Sequence, residues 1–256
     1  MPYNYNDDKT SKNVSGATSS RTFTVPIMTK GGYIVNKTFT EADDPYLDPK
    51  SQVLINKFGI TNYDELRQKE CAVLKDTILT PEVTKGRFIT MDLLSAVHHY
   101  LFKDIYTWAG KFRTVRIFKI EEVIIPGLSL DYTVPDLLEY ELRPAIDDLN
   151  SIRWKKLTRS EIAEQLAIKA IEIWKVHPFR DGNTRATIGF VQIVAIDHGM
   201  PMDMSVFTRI LSRPVFPNGG RGYSIRDMFM EASLPEKPDS SHLIATFKKA
   251  LGVRTK

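Results

Sequence analysis

The chain has 256 residues, enough for one large domain, with or without small additions, and for a substantial core. Its 35 basic against 31 acidic side chains leave a formal charge of +4, too mild and dispersed to argue direct nucleic-acid binding, though phosphate ligands would be welcome. A single cysteine, Cys71, excludes an internal disulfide framework or thiolate metal cluster, and no apolar run of about 18 residues or apolar leader core occurs, so the expectation is a cytoplasmic protein with no membrane span, delivery into a host cell being compatible with it.

Residues 1–20 are rich in Asn, Asp, Ser and Lys and are expected to form a disordered tail. Phe23–Ile27 and Tyr33–Phe39 are short β-prone runs joined through Gly31-Gly32, which predicts an N-terminal hairpin extension over 21–44, with Pro26 keeping the first run on a sheet edge. From about Ser51 the apolar spacing turns helical, through Val53, Leu54 and Phe58 and then Leu66, Cys71, Leu74 and Ile78. Thr90 is a good cap for a stronger helix carrying Leu93, Leu94, Val97, Tyr100 and Leu101 toward a stop at Gly110. Phe112–Ile117 alternates, and with Val123-Ile124-Ile125 it predicts an irregular β-hairpin. Helical patterning resumes at Pro135–Leu138, and again after a Ser160 cap through Ile162, Leu166, Ala170 and Ile173. A helix from near Thr184 carries Phe190, Ile193 and Val194 to a stop at Gly199, and shorter helices are predicted at Ser224–Glu231 and Leu243–Leu251. The reading is mostly α with small hairpins attached.

Chemistry concentrates between those last long helices, at His177-Pro178-Phe179-Arg180-Asp181-Gly182-Asn183-Thr184-Arg185. Pro178 drives the residue before it out of α geometry, so His177 stands at a helix exit and can project into a cleft. With an unperturbed pKa it would take a proton from a hydroxyl near neutral pH. Gly182-Asn183 permits unusual backbone angles just before a helix N-terminus, where backbone N–H groups and the helix dipole make an anion nest. Arg185 can supply a bidentate cation to phosphate, and Asp181 is a hard oxygen ligand suited to magnesium. Phe179 points the other way and anchors the loop in the core. Each part alone is more often a plain connection between helices; together, in this order, they form a nucleotide-phosphate site. The adjacent His98 and His99 cannot both face one ion and read as a structural pair, one buried and one at the surface. His198 reads as a cap that complements the helix dipole.

The stretch resembles the signature of the Fic (Fido) family, HxFx(D/E)GNGRxxR. Ala96–Phe102 through Ile105–Gly110 resembles the helix leading to that family's flap, Phe112–Ile117 resembles the flap's first strand, and Val53–Ile60 is similar to the N-terminal segment of many bacterial members. The resemblance spans roughly 45–210, leaving 211–256 as a C-terminal helical extension. It implies an all-α core with a small β-hairpin flap, holding ATP with Mg2+, and transfer of AMP from ATP to a hydroxyl side chain of a target protein. Carried over by position, His177 would be the general base, Phe179 the core anchor and Asp181 the Mg2+ ligand. Gly182 and Asn183 would form the anion hole, Thr184 would cap the helix beside it, and Arg185 would hold phosphates. The hairpin after Gly110 would align a segment of the target protein as an added strand.

Two positions depart from the signature. Thr184 stands for the second glycine, and Ile188 for the final arginine, which removes one phosphate clamp; Lys175, Arg180 and Arg221 are the candidates to compensate. Two other readings therefore stand beside AMP transfer: phosphorylation or transfer of another nucleoside monophosphate from a differently bound nucleotide, and a non-catalytic module binding nucleotide or partner. His177 argues against the last, since a pure binder needs no base there. Relatives are commonly silenced by a helix carrying [S/T]xxxE[G/N]. No glutamate here is followed by Gly or Asn, so no such helix is expected, nor any acidic side chain from a terminal helix that packs against Arg185 and blocks the pocket.

Overall fold

A computed structural model of the protein describes residues 22–40, 44–75, 89–121, 123–209 and 223–253. The readings made for residues 1–20, Ile78 and Arg221 lie outside them. Eight α-helices and a small sheet make up these residues, and none of the helices is long and apolar enough to cross a membrane.

The sheet is β1 (Thr22–Met28) paired antiparallel with β2 (Ile34–Thr40), and parallel with β3 (Ser129–Leu130) on its other side. The N-terminal hairpin therefore forms, but Pro26 lies in the central strand rather than on the edge. The sheet tolerates this because β3 is two residues long and pairs only with Ile27 and Met28, leaving β2 alone alongside Pro26.

The helical pattern expected from Ser51 begins only at α1 (Tyr63–Lys75). Before it, Asn56 competes for the backbone: its amide donates to the carbonyls of Leu54 and Ile60, and its Oδ1 accepts from the N–H groups of Phe58 and Ile60. α2 (Met91–Phe102) starts as expected at Thr90, whose hydroxyl accepts from the Leu93 N–H at 3.3 Å. It ends well short of Gly110, where φ is 84°.

α3 (Leu138–Ser151), α4 (Arg159–Val176) and α5 (Asn183–Asp197) build the centre. α4 is capped by Thr158 rather than Ser160, because Thr158 and Glu161 form a reciprocal box in which each side chain satisfies the other's backbone N–H. Ala163, Leu166, Ala167, Ala170, Ile173 and Trp174 of α4 are wholly buried, which follows from its packing against α3, α5 and two later helices, α7 (Ile225–Ala232) and α8 (Ser241–Ala250). Between α5 and α7 lies α6 (Ser205–Thr208), a short helix that the periodicity did not mark. A second cluster, with Tyr46, Leu66, Phe102, Tyr106 and Trp108, joins α1 to the end of α2.

The alternating run Phe112–Ile117 contains no strand. Its backbone donors are taken by groups other than a partner strand: the Arg113 N–H donates to the Pro178 carbonyl at 2.9 Å and the Thr114 N–H to the Tyr46 hydroxyl at 3.1 Å. The second half of the expected hairpin is reduced to a bridge between Glu121 and Pro126 and then to β3.

Candidate active site

α4 ends at His177, which holds left-handed angles (φ 55°, ψ 58°), and α5 begins after Gly182, also left-handed at φ 76°. Between them the loop is stapled shut by its own side chains. Asn183 Oδ1 accepts from the Phe179 N–H at 2.8 Å, and its amide donates back to the Phe179 carbonyl at 2.7 Å. Phe179 is buried, as expected of an anchor, and stacks on His98 with ring centroids 3.9 Å apart. His98 Nε2 lies 3.0 Å from the Asp181 carbonyl and Nδ1 lies 2.9 Å from the Gly110 N–H. A carbonyl only accepts and an amide only donates, so His98 is the neutral Nε2–H tautomer. Burial agrees, pulling its pKa down to about 3. His98 is thus the buried member of the pair, and His99 is the exposed one.

His177 is buried as well. Its Nδ1 lies 3.1 Å from the Trp174 carbonyl, so Nδ1–H donates and Nε2 carries the free lone pair. Among the described residues Nε2 has no hydrogen-bond partner. The ring is bracketed by Tyr132, at 4.2 Å between centroids, and by Trp174 at 5.0 Å. The expectation of an ordinary pKa does not hold: burial first, and then the charges of Lys119 and Arg226, push His177 well below the usual histidine range. The imidazole is therefore neutral at physiological pH, the form a base requires.

Asp181 is half-buried, its Oδ1 accepting from the Gly182 N–H at 2.7 Å and from Lys119 at 3.2 Å. Burial alone would raise its pKa, but Lys119, Arg185 and that N–H hold it well below the usual carboxylate range. No side chain caps the N-terminus of α5, so its first-turn N–H groups keep the arrangement of an anion nest. Thr184 does not act as the cap. It lies inside the first turn, where its hydroxyl accepts from the Trp174 indole N–H at 3.0 Å, giving that buried donor a partner that glycine would not provide.

Arg185 packs its guanidinium over the Phe102 ring at 4.7 Å and reaches Glu70 of α1 at 3.4 Å. An acid from α1, the first helix of the described residues, does pack against Arg185, which the sequence expectation did not foresee. Glu70 escaped the pattern search because Cys71, not Gly or Asn, follows it. Burial and the nearby Asp181 push its pKa up against the pull of Arg185, and the Tyr106 hydroxyl donates to its other oxygen.

Ile188 is buried in the main core, 4% exposed. Of the compensating cations that sequence suggested, Lys175 is exposed and Arg180 is paired with Asp44 at 2.9 Å. Sequence reasoning missed three basic residues that do approach the site. Arg113 is 2% exposed and donates to the carbonyls of His177, Val115 and Thr133, fastening the stretch after Gly110 to the motif loop. The others are Lys119 on Asp181 and Arg226 of α7, ion-paired with the wholly buried carboxylate of Glu121. They lie 58 positions upstream and 49 downstream of His177, so no local spacing could have marked them.

Comparison with known proteins agrees with this geometry. A model of the Fic/DOC family matches residues 88–194, from just before α2 through most of α5. The protein adenylyltransferase VbhT of Bartonella schoenbuchensis is 27% identical over 169 residues, covering 65% of this chain and 34% of the relative, so the chain spans about a third of that protein's length. The probable protein adenylyltransferase y4lH of Sinorhizobium fredii is 28% identical over 171 residues, covering 65% of this chain and 83% of the relative. Among solved structures, the BepC protein of Bartonella tribocorum with bound AMPPNP superposes with a TM-score of 0.60 at 19% identity, over 82% of this chain and 97% of that one. Residues 88–194 thus match the Fic/DOC family, and they sit in a helical fold like that of solved Fic domains.

Proposed function

We propose that the chain is a protein adenylyltransferase whose core, residues 45–210, moves AMP from ATP onto a hydroxyl of a target protein. The observation that carries this is the buried, unprotonated and unpartnered Nε2 of His177 beside the uncapped N-terminus of α5. In the reaction the target hydroxyl oxygen forms a bond to the α-phosphorus of ATP, and its proton passes to His177 Nε2. The bond from that phosphorus to the oxygen bridging the β-phosphate breaks, and pyrophosphate leaves. In this reading the N–H groups of Asn183 and Thr184, joined by that of Gly182 once Asp181 Oδ1 releases it, stabilise charge on the phosphate oxygens, and Arg185 binds them once Glu70 gives way. Trp174 keeps His177 in the tautomer that accepts at Nε2.

Asp181 fits a magnesium ion: it is a hard carboxylate, held ionised, in a site where one protein oxygen plus phosphates and waters suffices. Bound there, the ion would neutralise phosphate charge. The extended stretch after Gly110, pinned by Arg113, is the place for the target segment.

A second reading, in which ATP lies differently and gives up another group, is favoured by the burial of Ile188 where the family signature has a cation. Intact-mass spectrometry of a candidate target after incubation with the chain and ATP separates the readings. A gain of about 329 Da is AMP and about 80 Da is phosphate, while no gain with nucleotide still bound means a binding module.

A further inference from the structure

The site holds a second cation system that the reaction above does not use. Arg226 opens α7, next to the Ser224 cap. Phe229, one turn on in the same helix, stacks on Trp174 at 5.4 Å, and the Trp174 carbonyl is the group that fixes His177. The charge of Arg226 acts on His177, Lys119 and Tyr132, and the Tyr132 ring lies 4.2 Å from that of His177. Its partner is Glu121, whose side chain is 0% exposed. Taking a carboxylate wholly out of water is costly, and a buried ion pair seldom returns more stability than an apolar pair of the same size. An arginine kept next to a base and neutralised by the chain's own carboxylate has the chemistry of an oxyanion seat.

We propose that Arg226, with Lys119 beside it, clamps the terminal phosphates of the donor nucleotide in place of the arginine missing at Ile188, with Glu121 holding the seat until a polyphosphate displaces it. The inference rests on the nucleotide-transfer reading of the same site. It assigns the clamp to a helix outside the motif, 49 residues beyond the base.

Calorimetric titration of the full chain with ATP and with AMP, both with magnesium, tests it. Removing Arg226 alone would strand a buried carboxylate, so the decisive variant neutralises both partners, Glu121→Gln with Arg226→Gln, checked by a thermal melt. ATP affinity should fall about tenfold to a hundredfold while AMP affinity stays within about twofold, because only ATP carries the phosphates concerned. Arg226→Lys should recover part of the loss, and Glu121→Gln alone should tighten ATP several-fold. Unchanged ATP affinity in the double variant, or equal losses for ATP and AMP at an unaltered melt, overturns the clamp. A wild-type chain that binds neither nucleotide overturns the reading beneath it as well, and is told apart by the wild-type titration alone.

Discussion

Gly182→Ala tests whether the loop geometry is as tightly specified as the site requires. At φ 76° an alanine leaves the region open to L residues, costing about 1–2 kcal/mol. Its Cβ would also sit 2.4 Å from Cζ and 2.5 Å from Cε2 of Phe102. Phe102 is 1% exposed and lies against His98 on one side and under Arg185 on another. Overpacking of that kind costs about 1–3 kcal/mol. The sum is about 2–5 kcal/mol, and at about 2–4 °C per kcal/mol for a chain of this size the melting temperature should drop by about 4–20 °C. Circular-dichroism melts of four proteins decide it: wild type, Gly182→Ala, Phe102→Leu and the double variant. Leucine shortens the ring that the new methyl meets, so the double variant should recover the packing share of the loss and keep the backbone share, a coupling of about 1–3 kcal/mol. A single variant melting within about 1 °C of wild type, or strictly additive losses, would refute the reasoning.

Four further outcomes follow from the same geometry. His177→Ala should lower transfer by about two to four orders of magnitude with ATP binding retained, and unchanged turnover removes the base assignment. Because the folded pKa of His177 lies well below 6.5, the wild-type rate should show no fall due to this group as pH drops from 7.5 to 6; an inflection there that vanishes in His177→Ala contradicts it. Asp181→Ala should erase the part of ATP affinity that depends on magnesium, and equal affinities at saturating magnesium would move the ion elsewhere. Ile188→Arg, which would restore the family signature, should instead lower the melting temperature, since the position is core; an unaltered melt with tighter ATP binding would show that the side chain faces the phosphates after all.

The motif loop was legible in the sequence because its parts are contiguous. Pro178 and Gly182 announce a break between two helices, and the loop forms there with Phe179 buried as its anchor. The starts of the helices with strong caps, α2 and α7, are legible to within a residue or two for the same local reason. What failed was everything settled by distant partners. Alternation at Phe112–Ile117 reads as a strand, yet the donors of Arg113 and Thr114 are claimed by Pro178 and Tyr46. Spacing at Val53–Phe58 reads as helix, yet Asn56 wires the chain into a loop. Thr184 reads as a cap, because the demand of the Trp174 indole, ten residues away, is invisible locally. Glu70, Lys119 and Arg226 reach the site only through tertiary packing.

Those three residues change how the site's control should be understood. Lys119 is paired with Asp181, Arg185 with Glu70 and Arg226 with Glu121. Three partly buried cations without counterions would destabilise the fold, so carboxylates from the chain itself are the expected remedy when no nucleotide is present. In the proposed reaction Glu70 and Glu121 then oppose the nucleotide, because Arg185 and Arg226 must each leave one anion to meet another, while Asp181 would pass from Lys119 to the magnesium ion. Donor affinity becomes the difference between two sets of ion pairs rather than the full strength of one. That restraint needs no inhibitory helix of the usual pattern and none of its consensus residues. It is distributed over α1, the stretch after Gly110 and the motif itself. Glu70→Gln isolates one part of it: the amide keeps a bond to the Tyr106 hydroxyl while freeing Arg185, so ATP should bind several-fold tighter by calorimetry. Weaker binding in that variant would mean that Glu70 positions Arg185 for phosphate instead of withholding it.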